Sequence, residues 1–168
     1  MNYKVSRILF YFPRLIKKTY ICLRFPFLRY YCDTPFYEFC YWEQIDKGWR
    51  KAFGWQMCKE IRAAAKRHGV LKTFRFIDVK QKYGYLDITV NSAPEEIFDI
   101  LSKYDYISIR TCINCGRRAK YVTRAWVLPY CEDCLPKNAY GADEYIKDLE
   151  WYGCRSVESY LKDKEKSN

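Results

Sequence analysis

Polar and apolar positions alternate with two different periods along this chain, and the change of period marks out its middle. Trp49, Phe53, Met57, Ile61 and Ala64 recur on one face of a 3.6-residue helix, with Lys51, Lys59, Arg62, Lys66 and Arg67 on the others. Asp46 stands where a side chain can cap the first amides, and Gly69 stands where a left-handed residue can end the helix, so the pattern predicts a helix over 47–68. Gly54 inside it weakens the helix by ~1 kcal/mol relative to alanine or admits a close neighbour. The period then shortens to two. Segments 73–80 and 85–90 favour β structure and are joined by Gln81-Lys82-Tyr83-Gly84, which predicts an antiparallel hairpin with Leu86, Ile88 and Val90 on its apolar face. Ser92 and Glu95 are spaced as a capping box before the stripe Ile97, Ile100, Leu101 and Tyr104. Residues 106–111 read as a strand leading into a cysteine pair.

The first thirty-one residues follow a different rule. They hold seven basic and nine aromatic residues and no acidic one. Lys4, Arg7, Arg14 and Lys18 lie near one helical stripe, and Val5, Ile8, Leu9, Phe12, Leu15 and Ile16 lie on another, with Pro13 dividing them. Three uses of such an arm are open: a strip for nucleic acid, a helix on an anionic membrane surface, or an apolar side packed on the domain with its charges in water. Pro26 and Pro35 make residues 25–41 read as an extended connector. The net charge of +10 is lopsided: residues 1–80 carry seventeen Lys and Arg against six Asp and Glu, and the remainder is nearly neutral. A polyanionic partner, nucleic acid or an acidic protein surface, is therefore expected at the first half. The candidate contacts are Lys4, Arg7, Arg14, Lys17, Lys18, Arg24 and Arg29, joined by Arg117, Arg118 and Arg124 near the cysteines. Trp49 and Trp55 are candidate anchors for a protein interface.

Cys112 and Cys115 form one Cys-x-x-Cys pair, Cys131 and Cys134 a second, and fifteen residues separate them. This is the spacing of a four-thiolate zinc site. Two residues between cysteines let a tight turn aim both sulfurs at one cation, and residues 120–123 with 126–128 can make the small hairpin that returns the second pair. Four thiolates complete a tetrahedral zinc and leave no place for water or substrate, so Zn2+ is expected as a structural cofactor. Nearby arginines can balance the formal −2 of such a centre.

Other chemistry finds little support. His68 is the single histidine, which excludes a catalytic zinc held by several histidines. Cys22, Cys32, Cys40, Cys58 and Cys154 are more often ordinary core residues than nucleophiles paired with His68. The carboxylate pairs Glu95-Glu96 and Asp143-Glu144 sit at predicted helix starts, where the dipole accounts for them, and there is no glycine-rich phosphate loop. An odd number of cysteines, nine, together with no evident cleavable leader and no apolar run of ~20 residues, points to a cytoplasmic protein.

The succession Gly48-Trp49, then Asp78-Val79-Lys80-Gln81-Lys82-Tyr83-Gly84-Tyr85-Leu86, then Thr111-Cys112-Ile113-Asn114-Cys115-Gly116 resembles a group of small phage and prophage proteins. Their pattern is a Gly-Trp helix start, a Val-Lys-x-Lys-aromatic-Gly-x-Leu hairpin and a Cys-x-x-Cys module. Tyr85 stands where that pattern commonly has a second glycine. The likeness covers roughly residues 46–135 and implies a viral origin, host cytosol and a helix-hairpin-helix-metal layout; it transfers no catalytic residue. The expected fold is α+β: a basic aromatic arm (1–45), a core of helix, hairpin, helix and strand (46–110), a zinc-ribbon or treble-clef-like module with a C-terminal helix (111–155) and a charged tail (156–168). The expected function is non-enzymatic binding of nucleic acid or an acidic host protein, as in modulation of host defence. A protein-directed inhibitor or virion component and a receptor for a nucleotide signal are the alternatives.

Overall fold

A computed structural model describes residues 16–30, 40–123, 127–136 and the backbone of 154–156. The fold is α+β. Residues 16–24 form helix α1, followed by a 3-10 turn at Pro26–Leu28 and by a short helix α2 (Tyr41–Gln44). Next comes one nearly continuous helical run: α3 (Lys47–Trp49), a π-helical stretch Arg50–Gly54 and α4 (Trp55–Arg67). Strands β1 (Phe76–Lys82) and β2 (Tyr85–Val90) form an antiparallel pair, α5 (Glu95–Ser108) packs on β2 and α4, and a second sheet has the order β4 (Pro129–Tyr130), β3 (Tyr121–Thr123), β5 (Cys154–Ser156).

The long helical run matches the periodicity closely. Trp49, Phe53, Met57, Ile61 and Ala64 are all buried. Its end is a Schellman motif: Gly69 has a φ of 71°, Val70 N–H donates to Ala65 O and Gly69 N–H donates to Lys66 O. The π-helical stretch has no counterpart in the expected regular helix. It falls where Gly54 leaves room for the Trp42 indole, whose ring carbons would lie 3.3 Å from a methyl at that position. Asp46 occupies the N-cap position but makes no capping hydrogen bond, and burial raises its carboxyl pKa.

The hairpin has a tighter turn than the four-residue link expected. Lys82 pairs with Tyr85, leaving Tyr83 and Gly84 as the two turn residues, with φ of 50° and 87°. Two positive φ values define the type I′ geometry that matches strand twist. Leu86 is buried and Ile88 and Val90 pack against the main core, whereas Tyr85, on the opposite face, packs on a small second cluster of Ile109, Ala119 and Val122.

Three expectations are corrected. The capping box is not used: Pro94 is the N-cap of α5 and no side chain caps it. Residues 106–111 are not a strand, because α5 continues to Ser108. The Ser108 hydroxyl donates to Asp105 O at 2.6 Å and accepts from Leu86 N–H at 2.8 Å, so tertiary bonding to β2 overrides the alternation of Ile107 and Ile109. The second strand of the small hairpin is Pro129–Tyr130, with Val127 and Leu128 outside it and residue 126 outside the described residues, and β5 pairs with the other side of β3. The helix expected over 143–152 lies outside the described residues.

One apolar cluster joins most of these elements. Ile21, Phe25, Phe27 and Leu28 from the first segment, together with Tyr41 and Ile45, are buried with the α4 face, with Phe74 and Phe76, and with Cys112 and Cys131. At residues 25–28 the connector reading therefore gives way to a 3-10 turn and a core contribution from Phe25, Phe27 and Leu28, while residues 31–39 of that connector lie outside the described residues. No helix among the described residues is long and apolar enough to cross a membrane.

Candidate functional site

The Cys112, Cys115, Cys131 and Cys134 sulfurs all lie within 4.8 Å of one another, and Cys115 and Cys131 approach to 3.5 Å. A tetrahedron with Zn–S bonds of 2.3 Å has S···S edges of about 3.8 Å, so the four side chains can hold a metal ion such as zinc with small adjustment. The backbone explains why they meet. Gly116 has a φ of 80°, its N–H donates to Cys112 O at 2.9 Å, and Cys112 N–H donates to Arg117 O at 2.7 Å, which closes the first knuckle. The second knuckle is the 3-10 turn Glu132–Cys134, where Cys134 N–H donates to Cys131 O. The β3–β4 ladder and the Ile113 N–H to Pro129 O bond at 2.9 Å bring one knuckle over the other.

Charge beside the cluster favours thiolate at Cys115. Arg117 donates from Nε to Cys115 Sγ at 3.5 Å and from its terminal nitrogen to Cys131 Sγ at 3.7 Å, and it also pairs with Asp133. The Arg117 hydrogen bond lowers the Cys115 pKa to about 6. Burial raises that of Cys131, and the hydrogen bond shared with Cys115 pushes Cys134 up to about 12. Metal binding would release the remaining protons. With four sulfur donors, no position would be left for a substrate.

The knuckle is docked on the long helical run. Gly48 N–H donates to Ile113 O at 2.7 Å, and a methyl on Gly48 would lie 2.5 Å from that oxygen and closer still to Cys112 O. A methyl on Gly116 would lie 2.6 Å from Gly48 O. Beside this contact, Trp49 Nε1 donates to Thr111 O at 3.0 Å. Trp49 is fully buried, so its expected role as an interface anchor is replaced by that of a core residue joining α3 to the metal segment.

The sequence-predicted cations are divided among several places. Lys17 and Lys18 of α1 meet Arg50 at a cleft of about 420 Å³ that is also lined by Trp42 and Glu43. Lys18 pairs with Glu43 at 2.6 Å, while Lys17 is exposed. Arg24 is exposed, Arg29 forms a backbone bridge with Cys40, and Arg118 bridges Thr111. Lys4, Arg7, Arg14 and Arg124 lie outside the described residues. Trp55 is partly buried against Phe25 and Trp42. Arg50 and Trp42 were missed because their partners come from α1, and only the fold brings them together.

His68 caps α4 and contacts Glu96 at 2.9 Å. Cys22 and Cys40 place their sulfurs 3.1 Å apart in the core, with the Cys22 hydrogen bond lowering the Cys40 pKa, and Cys58 is buried. Comparison of the chain with protein-family models, characterised proteins and solved structures yields no match.

Proposed function

We propose that this chain is a non-enzymatic binding protein stabilised by a structural zinc ion, and that the basic face of its first half holds nucleic acid. The observation that carries the reading is the cleft in which Lys17, Lys18 and Arg50 converge beside the Trp42 indole. A flat aromatic side chain among cations offers stacking for a base and charge for a phosphate backbone. Among the described residues one carboxylate, Glu43, lines the cleft, and it is paired with Lys18. Arg117 faces sulfur and Asp133 instead, so the arginine near the metal serves the centre's charge balance. The resemblance to phage and prophage proteins supports the cytosol of an infected host as the setting, with genome handling or modulation of host defence as the task.

Fluorescence anisotropy with a labelled DNA strand tests this. Affinity should fall steeply between about 50 and 200 mM salt as counterions are released. The double change Lys17→Glu/Arg50→Glu should weaken binding at least about tenfold, because it reverses two charges at the cleft, while Lys162→Glu/Lys164→Glu should change it little. Binding that ignores salt, or none at low salt, overturns the reading. Elemental analysis should find about one zinc per chain, as a single four-cysteine site requires.

A second reading, contact with a host protein, is favoured by the exposed residues Ile16, Tyr20 and Leu23, spaced as one stripe of α1 and 56–64% accessible. Capture from cells with and without nuclease separates the two. A partner retained after digestion favours protein contact.

A further inference from the structure

A second basic and aromatic recess shares no described lining residue with the cleft or the cysteine cluster. It is a cavity of about 650 Å³ beside the edge of β1, within the range of about 300–1,000 Å³ common for small-ligand sites. Tyr30 and Tyr41 form an aromatic wall, their ring centroids 5.3 Å apart. Ile77, 55% exposed, adds an apolar surface. Lys72 and Arg75 stand at its polar side, and among the described residues no carboxylate lines it and neither cation makes an ion pair.

The walls are held in place before any ligand arrives. Asn91 Oδ1 accepts from Arg75 N–H at 2.8 Å and its amide donates to Thr73 O at 2.8 Å, pinning the 72–75 segment to the end of β2. Arg75 also donates to Phe74 O, and the Tyr41 hydroxyl donates to Ile77 O, fixing that ring over β1. A preformed recess with aromatic walls and two cations, free of acid among its described residues, suits a planar heterocycle carrying a phosphate.

We propose that this cavity binds a nucleotide, with the base against Tyr30 and Tyr41 and the phosphate at Lys72 and Arg75. The assignment deepens the nucleic-acid reading above and rests on it only for the source of the nucleotide, which is either a free mononucleotide or one residue of a single strand.

The test titrates the full chain with AMP, with inorganic phosphate and with a labelled oligothymidine strand. AMP should bind, with inorganic phosphate at least tenfold weaker. Tyr30→Ala and Lys72→Glu should each weaken AMP about tenfold, Tyr30→Phe should retain binding, and Lys59→Glu, at an exposed lysine that lines neither recess, should leave it unchanged. Tyr30 and Lys72 are both exposed, so unchanged melting temperatures should verify that these variants fold. If AMP displaces the strand and Tyr30→Ala weakens strand binding, the source is a nucleic acid; if AMP binds without displacing it, the source is a free nucleotide. Either result supports the cavity. Equal affinity for AMP and inorganic phosphate, no AMP binding at millimolar concentration, or AMP binding indifferent to both Tyr30→Ala and Lys72→Glu overturns it. Strand binding lost in Lys17→Glu/Arg50→Glu without any AMP binding rejects the cavity and leaves the cleft. AMP binding without strand binding does the reverse.

Discussion

A hydrogen atom in place of a methyl group decides whether the first cysteine knuckle can sit on α3. Gly48 faces the Cys112 and Ile113 carbonyls and Gly116 faces Gly48 O, so neither backbone can move away from an added carbon without breaking the Gly48 to Ile113 bond. Gly48→Ala should therefore destabilise the protein by about 2–3 kcal/mol, the upper part of the range for overpacking, and weaken metal retention with it. Urea unfolding and metal content after dialysis measure both effects; a fully stable, metal-replete variant would contradict the docking. Gly48-Trp49 is legible in the sequence as a helix start. What it touches is not, because the contacting carbonyls lie more than sixty positions away and carry no side-chain signature.

Among the elements, the hairpin and the helix pair each depend on local electrostatics or backbone geometry that can be tested. Tyr83 adopts a positive φ at an exposed turn position, a conformation that asparagine tolerates better than an aromatic residue. Tyr83→Asn should stabilise the protein by roughly 0.5–1 kcal/mol, seen as a rise in thermal midpoint. Across the molecule, Glu96 in the first turn of α5 meets Arg67 and His68 at the end of α4, where both helix dipoles favour the arrangement. The Arg67 hydrogen bond, followed by that of His68, lowers the Glu96 pKa. A carboxylate lowered in the folded state contributes stability that is complete above its unfolded value, about 4.3, and lost as pH falls through the folded one. Glu96→Gln should flatten the acid limb of the stability profile below about pH 4; an unaltered limb would show that the contact contributes nothing. The hairpin and long helix were readable because periodicity and glycine placement agree. The extent of α5 was not, since Tyr106–Ser108 fits either period and a serine bonded to β2 decides between them.

At the scale of the whole molecule, the cysteine cluster and the main core are one structure, with Cys112 and Cys131 buried in the same cluster as Met57 and Phe76. Chelation should therefore lower the thermal midpoint by roughly 10 °C, at about 2–4 °C per kcal/mol for a chain of this size, and the helical circular-dichroism signal should be lost in the same transition. Two separate transitions, with the helices melting unchanged, would show that the module is independent. The clustering of the four cysteines was legible from spacing alone, because a tetrahedral site constrains sequence directly. The cleft and the tyrosine-lined cavity were hidden, because each is assembled from segments that only tertiary packing brings together. The short strand β5 carries a different implication. It covers one edge of β3 from a position more than thirty residues further along the chain. On the ribosome, that edge must stay bare until residue 156 has emerged, so the cysteine module is the last part of the described fold to be completed, and a chain stalled before that point would offer an open strand to its neighbours.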